Sequence, residues 1–113
     1  MRVLVCGSRT WTDRLAIFIR LRELPDGTTI VHGAAGGADR AAGMVAGSLG
    51  FTVEEFPADW ETHGKRAGIL RNLAMLDTEP ALVIAFHRSA SPGTHHTIEE
   101  ARRRGIPVEV HDA

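Results

Sequence analysis

Five short apolar runs, rich in Val, Ile and Phe, alternate along the chain with longer stretches in which apolar residues recur at helical spacing. The apolar runs occupy residues 3–6, 29–31, 51–56, 82–86 and 108–110. The stretches with helical spacing occupy residues 13–23, 38–49, 66–77 and 97–104. Because parallel strands need long crossover connections, which helices supply, this alternation predicts a parallel sheet covered on both faces. We therefore expect a Rossmann-like doubly wound α/β fold, mostly parallel, with about five strands.

The length and composition of the chain predict one cytoplasmic domain spanning residues 1–113. Its 113 residues, 43% of them hydrophobic, suffice for one continuous core. The single cysteine, Cys6, lies in the first apolar run, so we expect a small buried side chain and no disulfide within the chain. No stretch has the length of a membrane span, and the first apolar run is too short for a signal peptide. A membrane partner is not expected.

The balance of charge disfavours bulk binding of nucleic acid. The chain has 13 Lys and Arg residues against 14 Asp and Glu residues, so its formal net charge is -1. Aromatic residues make up 5% of the chain and none is tyrosine. Grooves that bind single strands need both basic residues and stacking platforms, and phosphate polymers are held largely by counterion release. A nucleotide-like small molecule is the better expectation for a partner.

The loops that follow the first four predicted strands occupy residues 7–11, 33–37, 57–64 and 89–96, and all four meet at one edge of the sheet. Ligands of open parallel sheets bind at this edge, outside the carboxyl ends of the strands. In the first loop Gly7, Ser8 and Arg9 offer a backbone amide, a hydroxyl and a guanidinium, and Trp11 offers a face for stacking a base. The alternative for Trp11 is a lid over the core.

The second loop reads Gly-Ala-Ala-Gly-Gly and precedes a predicted helix. Gly33, Gly36 and Gly37 would let backbone N–H groups approach an anion, and the start of the helix adds a positive dipole end. The alternative is a tight turn that packs helix against strand. Asp39 would repel a phosphate, so we expect it either to accept hydrogen bonds from ribose hydroxyls or simply to complement the helix dipole.

Further polar residues lie near the same edge. Gly93 and Thr94, in the fourth loop, would form a second cradle for an anion. Arg71 and Asn72 interrupt the apolar spacing of the third long helix, so they are either solvated or directed at the ligand loops.

No metal ion and no cofactor is expected. His95 and His96 are adjacent rather than four residues apart, as a helical zinc pair would require, and Cys6 is isolated.

These loops together resemble the SLOG superfamily, and specifically its YspA-like branch. The matching residues, in order along nearly the whole chain, are Gly7-Ser8-Arg9, Gly33-Ala34-Ala35-Gly36-Gly37-Ala38-Asp39, Arg71-Asn72 with Met75 and Asp77, and Gly93-Thr94. The resemblance implies a Rossmann-like nucleotide-ligand fold and a homodimer or higher homo-oligomer.

A related family, the Lonely Guy phosphoribohydrolases, carries the signatures P-G-G-x-G-T-x-x-E and R-K-x-x-M. Residues 92–100 here have the same length and keep the Pro, the first Gly, the Thr and the last Glu, but Thr94 and His96 replace the other two glycines. Residues 71–75 keep the Arg and Met, and Asn72 replaces the Lys. The resemblance implies that Arg71 and Glu100 would be the catalytic pair, although a Cβ at each lost glycine occupies space where backbone would meet phosphate.

The sequence is therefore compatible with three functions. The first is a protein that binds a nucleotide or nucleotide derivative, as a sensor or by sequestration. The second is an N-ribosyl hydrolase acting on nucleoside monophosphates, which also needs Arg71 and Glu100 at one ribose. The third is a single-stranded DNA or protein-interaction module, because the DNA-processing DprA proteins form another branch of the superfamily.

Overall fold

The computed structural model describes residues 1–88 and 91–112, and within them the predicted parallel sheet is present. Its strands are β1 (Arg2–Gly7), β2 (Thr29–His32), β3 (Thr52–Glu55), β4 (Leu82–His87) and β5 (Val108–Asp112). Each pairs in parallel with its neighbours, in the order β3-β2-β1-β4-β5. The Rossmann-like doubly wound fold is confirmed.

The helices that connect these strands are α1 (Arg14–Leu21), α2 (Ala38–Ser48), α3 (Trp60–His63), α4 (Ala67–Asp77) and α5 (Pro92–Arg103), with a 3-10 turn, Gly64–Arg66, between α3 and α4. None of the helices in the described part of the chain is long and apolar enough to cross a membrane.

Alternate residues of the central strands separate two layers of core. Val3 and Val5 of β1 pack with α1 and α2 on one face, whereas Leu4 and Cys6 pack with α4 and α5 on the other. Successive side chains of a strand point to opposite faces, so a strand buried on both sides must be apolar throughout. The first apolar run meets this requirement, which is why β1 occupies the centre of the sheet.

The strand order reverses between β1 and β4. These two strands are paired from Val3 with Leu82 to Gly7 with Phe86. Chain connections leave the sheet in opposite directions on the two sides of this pair, so a crevice opens between the loops that follow β1 and β4. The loop residues predicted to carry chemistry therefore surround one point of the sheet edge.

Two features of the helices differ from the prediction. Helix α5 begins at Pro92, five residues before the predicted start at Thr97, because proline fits the first helical position, where no backbone N–H is required. The short helix α3 was not predicted; Asp59 caps it by accepting a hydrogen bond from the Thr62 amide at 3.1 Å.

Several residues that the helical spacing assigned to the core are exposed. They are Leu15 and Ile19 of α1, Met44 of α2 and Ile69 of α4. In α2 the buried residues are mostly alanines, which let the helix approach the sheet closely. The larger side chains of α2 therefore lie at the edge of its buried face. The homo-oligomer implied by the resemblance stays a prediction.

Candidate functional site

A cleft of about 910 Å³ lies at the carboxyl edge of the sheet, at the point where the strand order reverses. Its walls come from the loop after β1, the segment from α3 into α4, and the start of α5. The residues that line it and are used below are Ser8, Arg9, Ala35, Asp39, Trp60, Lys65, Ile69, Arg71, Asn72, Arg88, Ser91, Gly93, Thr94 and His96. A volume of this size accommodates a nucleotide-sized molecule.

The loop between β2 and α2 is closed on itself by two side chains. Asp39 accepts hydrogen bonds from the amides of Gly33 (3.1 Å) and Ala35 (3.3 Å), both on Oδ2. His32 accepts from the Ala34 amide on Nδ1 at 3.0 Å. The amides of Gly33, Ala34 and Ala35 are therefore already engaged, and a carboxylate lies against the loop at which a phosphate was expected.

Burial governs the charge of both side chains. Asp39 is 5% exposed, and loss of hydration raises its pKa to about 6 in spite of its two amide donors and the nearby Arg71. His32 is 1% exposed, and loss of hydration lowers its pKa, which leaves Nδ1 free of a proton to accept from Ala34 at neutral pH. These two side chains therefore hold the loop closed at neutral pH, with Ala35 and Asp39 in the wall of the cleft.

Arg71 projects from α4 across the sheet edge rather than into solvent. Its Nη1 donates to the carbonyl of Gly33 and, at 3.5 Å, to that of Phe56, while Nε donates to Asn72 Oδ1 at 2.9 Å. Burial lowers the pKa of Arg71, and the Asp39 carboxylate opposes that effect. The guanidinium thus joins the ends of β2 and β3 and keeps one edge toward the cleft.

Three of the predicted glycines are needed for close packing rather than for contact with a ligand. A Cβ on Gly33 would lie 2.5 Å from Arg71 Nη1, and a Cβ on Gly37 would collide with the carbonyl oxygens of Ser8 and Arg9. Gly37 also has a positive φ of 67°. Gly7 is similar, since a Cβ there would collide with Ala38 and the Phe86 carbonyl. Gly36 has open space where a Cβ would lie.

Asn72 connects α4 to the start of α5. It is 5% exposed, and its Nδ2 lies 3.3 Å from the carbonyl oxygen of Gly93 and 3.3 Å from Nδ1 of His96. Because its Oδ1 accepts from Arg71, a single amide fixes both the guanidinium and the first turn of α5. Asn72 is therefore a positioning residue of the cleft.

The first turn of α5 is the part of the site that keeps backbone donors for an anion. The first amides of a helix have no partner within the helix, and Ser91 makes no side-chain cap here. Instead Ser91 Oγ and Thr94 Oγ1 are bonded to each other at 2.9 Å. Gly93 has open space above it. The fourth predicted loop thus offers the cradle, although its first residues, Ser89 and Ala90, lie outside the described residues.

Charges around the cleft favour an anion. The cationic side chains that line it are Arg9, Lys65, Arg71 and Arg88, whereas Asp39 is the one carboxylate among the described lining residues. Arg9, Lys65 and Arg88 are exposed and reach the cleft from three different elements of the wall. A concave surface with an excess of one charge attracts ligands of the opposite charge.

Two predicted residues of the first loop have structural contacts. The Ser8 hydroxyl donates to the carbonyl of Arg88 at 2.8 Å and accepts from its amide at 2.7 Å, so it fastens the loop after β1 to the end of β4. Trp11 is 6% exposed and packs on Phe86 with ring centroids 5.4 Å apart. Its Nε1 donates to the Asp13 carbonyl at 2.9 Å. Trp11 is a lid over the core and is not placed for stacking a base.

Arg71 and Glu100 are not brought together. Glu100 lies seven residues beyond Gly93, roughly 10 Å further along α5. It is bonded to Arg103 and Arg104, and Arg104 in turn pairs with Asp77 at 2.8 Å. These bonds lower the pKa of Glu100 to about 2. The expected catalytic pair is not formed in the described arrangement, because Arg71 is bonded to the carbonyls of Gly33 and Phe56 while Glu100 is bonded to arginines of the last turn.

Sequence reasoning missed Trp60, Ile69, Lys65 and Arg88 as lining residues. Trp60 lies within the third predicted loop, which was marked as one of the ligand loops but not examined residue by residue. A tryptophan in a loop that follows a strand end was the available signal. Arg88 follows β4 directly, so the rule that placed the other loops also applied to it.

A Rossmann-like sheet with a cleft at the point where the strand order reverses is the architecture of a class of α/β domains whose ligands bind at that edge. The sequence profile of the YspA, cpYpsA-related SLOG family (YAcAr) matches residues 1–63. A relative from Mycobacterium phage D29, the Gene 61 protein, is 42% identical over 116 residues, which cover 95% of this chain and 93% of the phage protein. The chain belongs to the YspA, cpYpsA-related SLOG family.

Two solved structures match this chain, and the first of them shares its fold. DNA processing protein A (DprA) from Streptococcus pneumoniae superposes with a TM-score of 0.81 at 20% identity. The alignment covers 96% of this chain but 49% of the DprA chain, so the present chain spans about half the length of that relative. A dodecameric FMN-dependent UbiX-like decarboxylase from Escherichia coli O157:H7 aligns over 96% of this chain and 79% of its own, with a TM-score of 0.44 and 20% identity.

Proposed function

We propose that the cleft binds a nucleotide or a nucleotide-derived small molecule, with its phosphate at the first turn of α5 between Arg9 and Arg88. The observation that carries this proposal is the excess of cationic side chains around the first amides of α5, which have no side-chain cap among the described residues, at a concave sheet edge. Membership of the SLOG family supports a nucleotide-related ligand. A role as a sensor or a sequestering protein requires binding alone.

The proposed phosphate position is the first turn of α5. It is not the glycine-rich loop between β2 and α2, where the sequence first suggested an anion site. The amides of Gly33 and Ala35 are engaged by Asp39, whose carboxylate would repel a second anion. Asp39 lines the cleft and uses Oδ2 for both amides, so Oδ1 is the oxygen that could accept from a ribose hydroxyl. The ribose then lies between the phosphate at α5 and the wall formed by the loop after β2.

Hydrolysis of the bond between base and ribose is the less supported alternative. It would require Glu100 to act on the ribose from a position roughly 10 Å beyond Gly93 along α5 and without its two arginine partners, and no observation favours that arrangement. The ligand is therefore expected to be released from the protein without chemical change. Mass spectrometry of an overnight mixture with adenosine 5'-monophosphate would reveal free adenine if hydrolysis took place.

Calorimetric titration with adenosine 5'-monophosphate and with adenosine tests the proposal. A charge-assisted hydrogen bond contributes about 1.5–3 kcal/mol, so the monophosphate should bind at least tenfold more tightly than the nucleoside. Arg88→Gln should weaken binding of the monophosphate by a similar factor. Arg102→Gln is the matched control, because Arg102 is exposed in the last turn of α5. Equal affinities for nucleotide and nucleoside, or an equal loss in both variants, would contradict the proposed phosphate site.

A further inference from the structure

We infer that Trp60 and Ile69 form a stacking platform for a planar aromatic base, so that the cleft selects purine nucleotides over sugar phosphates. The inference rests on the proposed function, since it assigns the part of the cleft that the phosphate does not use. It assigns to Trp60 the selection among ligands that carry a phosphate.

Trp60 and Ile69 are the large apolar side chains left open to the cleft. Trp60 is 52% exposed and Ile69 is 49% exposed, and both line the cavity. Gly68 lies beneath the indole, and a Cβ there would be 3.5 Å from Trp60 Cη2. Because Gly68 has no side chain, one side of the Trp60 indole lies within van der Waals distance of α4. The other side of the ring is open.

The local sequence holds Trp60 in this position. It is the first residue of α3, whose start is capped by Asp59 and whose end is set by Gly64 at a φ of 55°. A single-turn helix fixed at both ends carries its side chains in defined directions, although it buries no residue of its own. The segment therefore contributes to the wall of the cleft rather than to the core.

The two tryptophans of the chain have opposite environments. Trp11 is 6% exposed and its indole N–H has a carbonyl partner, as is usual for a tryptophan of the core. About half of the Trp60 surface is exposed to water, so the favourable free energy of burying that part of the indole is not gained on folding. A base stacked on an aromatic side chain recovers about 1–3 kcal/mol. The larger surface of a purine gains more than that of a pyrimidine.

The charges of the cleft favour a nucleotide over an apolar partner protein as the occupant. Lys65 follows Trp60 in the same wall, and Arg71 lies one turn beyond Gly68 on α4. A protein surface that docked on Trp60 would have to bury or pair these cations. A nucleotide instead presents its base to the indole and its phosphate to the cationic end of the same cavity.

Tryptophan fluorescence together with calorimetry tests the inference, with adenosine 5'-monophosphate as the nucleotide and ribose 5-phosphate as the phosphate probe without a base. In a Trp11→Phe variant Trp60 is the sole tryptophan, and its emission should be quenched by the nucleotide but not by ribose 5-phosphate. Trp60→Leu should bind the nucleotide about 5- to 100-fold more weakly and ribose 5-phosphate as the wild type does. Trp60→Phe should retain most of the affinity.

The outcomes separate the two proposals. If ribose 5-phosphate and the nucleotide bind equally well, without quenching and without an effect of Trp60→Leu, the stacking platform is overturned while the phosphate site stands. If neither molecule binds the wild type, the proposed function itself fails. Loss of nucleotide affinity in Trp60→Leu, with the affinity for ribose 5-phosphate unchanged, would support the platform. A self-association that disappears in Trp60→Leu while nucleotide affinity is unchanged would instead assign Trp60 to an interface between copies.

Discussion

Asp39 determines how the glycine-rich loop of this chain is used. Its carboxylate accepts the amides of Gly33 and Ala35 from within the protein, although a helix start after a glycine loop is the usual place for an external anion. The acid is 5% exposed, so the loop is stabilised by hydrogen bonds at the cost of a buried charge. The consequence is a pH dependence that a solvated acid at the same position would not show.

We predict that Asp39 makes the folded state less stable above about pH 6 than below it. Burial raises the pKa of Asp39 from 3.8 to about 6, against the opposing effects of its amide donors and of Arg71 and Arg9. The folded state therefore binds this proton more tightly than the unfolded chain, so the free energy of unfolding falls as the pH rises from about 4 through 6. An increase of about two pKa units corresponds to roughly 3 kcal/mol at most.

Urea unfolding of the wild type and of Asp39→Asn between pH 4 and pH 7 measures this contribution. The amide oxygen of asparagine still accepts from the loop but carries no charge, so the stability of the variant relative to the wild type should rise with pH over this range. Parallel pH profiles for the two proteins would show that Asp39 titrates as an ordinary exposed acid.

At the scale of the element, the β2–α2 loop contains three glycines with three different requirements. A Cβ on Gly37 would meet the backbone of the β1 loop and suffer a positive φ, whereas a Cβ on Gly33 would meet the movable end of the Arg71 side chain. A Cβ on Gly36 would meet nothing within 4 Å. We predict that Gly37→Ala destabilises by more than about 3 kcal/mol, Gly33→Ala by about 1–3 kcal/mol, and Gly36→Ala hardly at all.

The midpoints of urea unfolding for the three alanine variants test this order, with Gly36→Ala as the internal control. Gly33→Ala should in addition weaken nucleotide binding, because the displaced guanidinium of Arg71 lies in the wall of the cleft. A larger loss of stability in Gly36→Ala than in Gly37→Ala would contradict the described loop geometry.

The sequence predicted the five strands and the four longer helices of this fold because each of these elements has a clear hydrophobic period. The apolar run of β1 and the helical spacing of α4 are local patterns, and the crossover rule then limits how they can be arranged. The start of α5 was placed too late, because Pro92 was interpreted as part of a loop although it suits the first turn of a helix.

The site was only partly predictable for a different physical reason. Glycine spacing shows where the backbone must be tight, but whether the amide of Gly33 is free depends on the direction of the Asp39 side chain. Likewise Trp11 and Trp60 both follow strand ends, and only the packing of Phe86 against Trp11 decides which ring faces the core. Side-chain direction after a turn is a tertiary property, which local spacing does not determine.

At the scale of the whole molecule, charge is distributed unevenly between the cleft and the remaining surface. Four of the 13 Lys and Arg residues line the cleft against one of the 14 Asp and Glu residues, which leaves nine basic and thirteen acidic side chains elsewhere. A small anion would contact only the cationic cleft. A nucleic acid would also contact the protein surface outside the cleft, where acidic side chains outnumber basic ones. Under the proposed function, the charge pattern thus favours a mononucleotide over a nucleic acid as the partner.

We predict that this chain binds adenosine 5'-monophosphate at least tenfold more tightly than a site on a 20-nucleotide oligothymidylate at 150 mM KCl. Single-stranded binding depends on salt with a slope of about -0.7 for each phosphate neutralised, so an oligonucleotide that used several of the cations would show a steep slope. The monophosphate engages one phosphate and should show a shallow one. Fluorescence anisotropy of the oligonucleotide and calorimetry of the nucleotide from 50 to 300 mM KCl measure both. Tighter binding of the oligonucleotide with a steep slope would instead favour the single-stranded DNA module, in which the cations of the cleft and its aromatic ring serve a strand that passes through it.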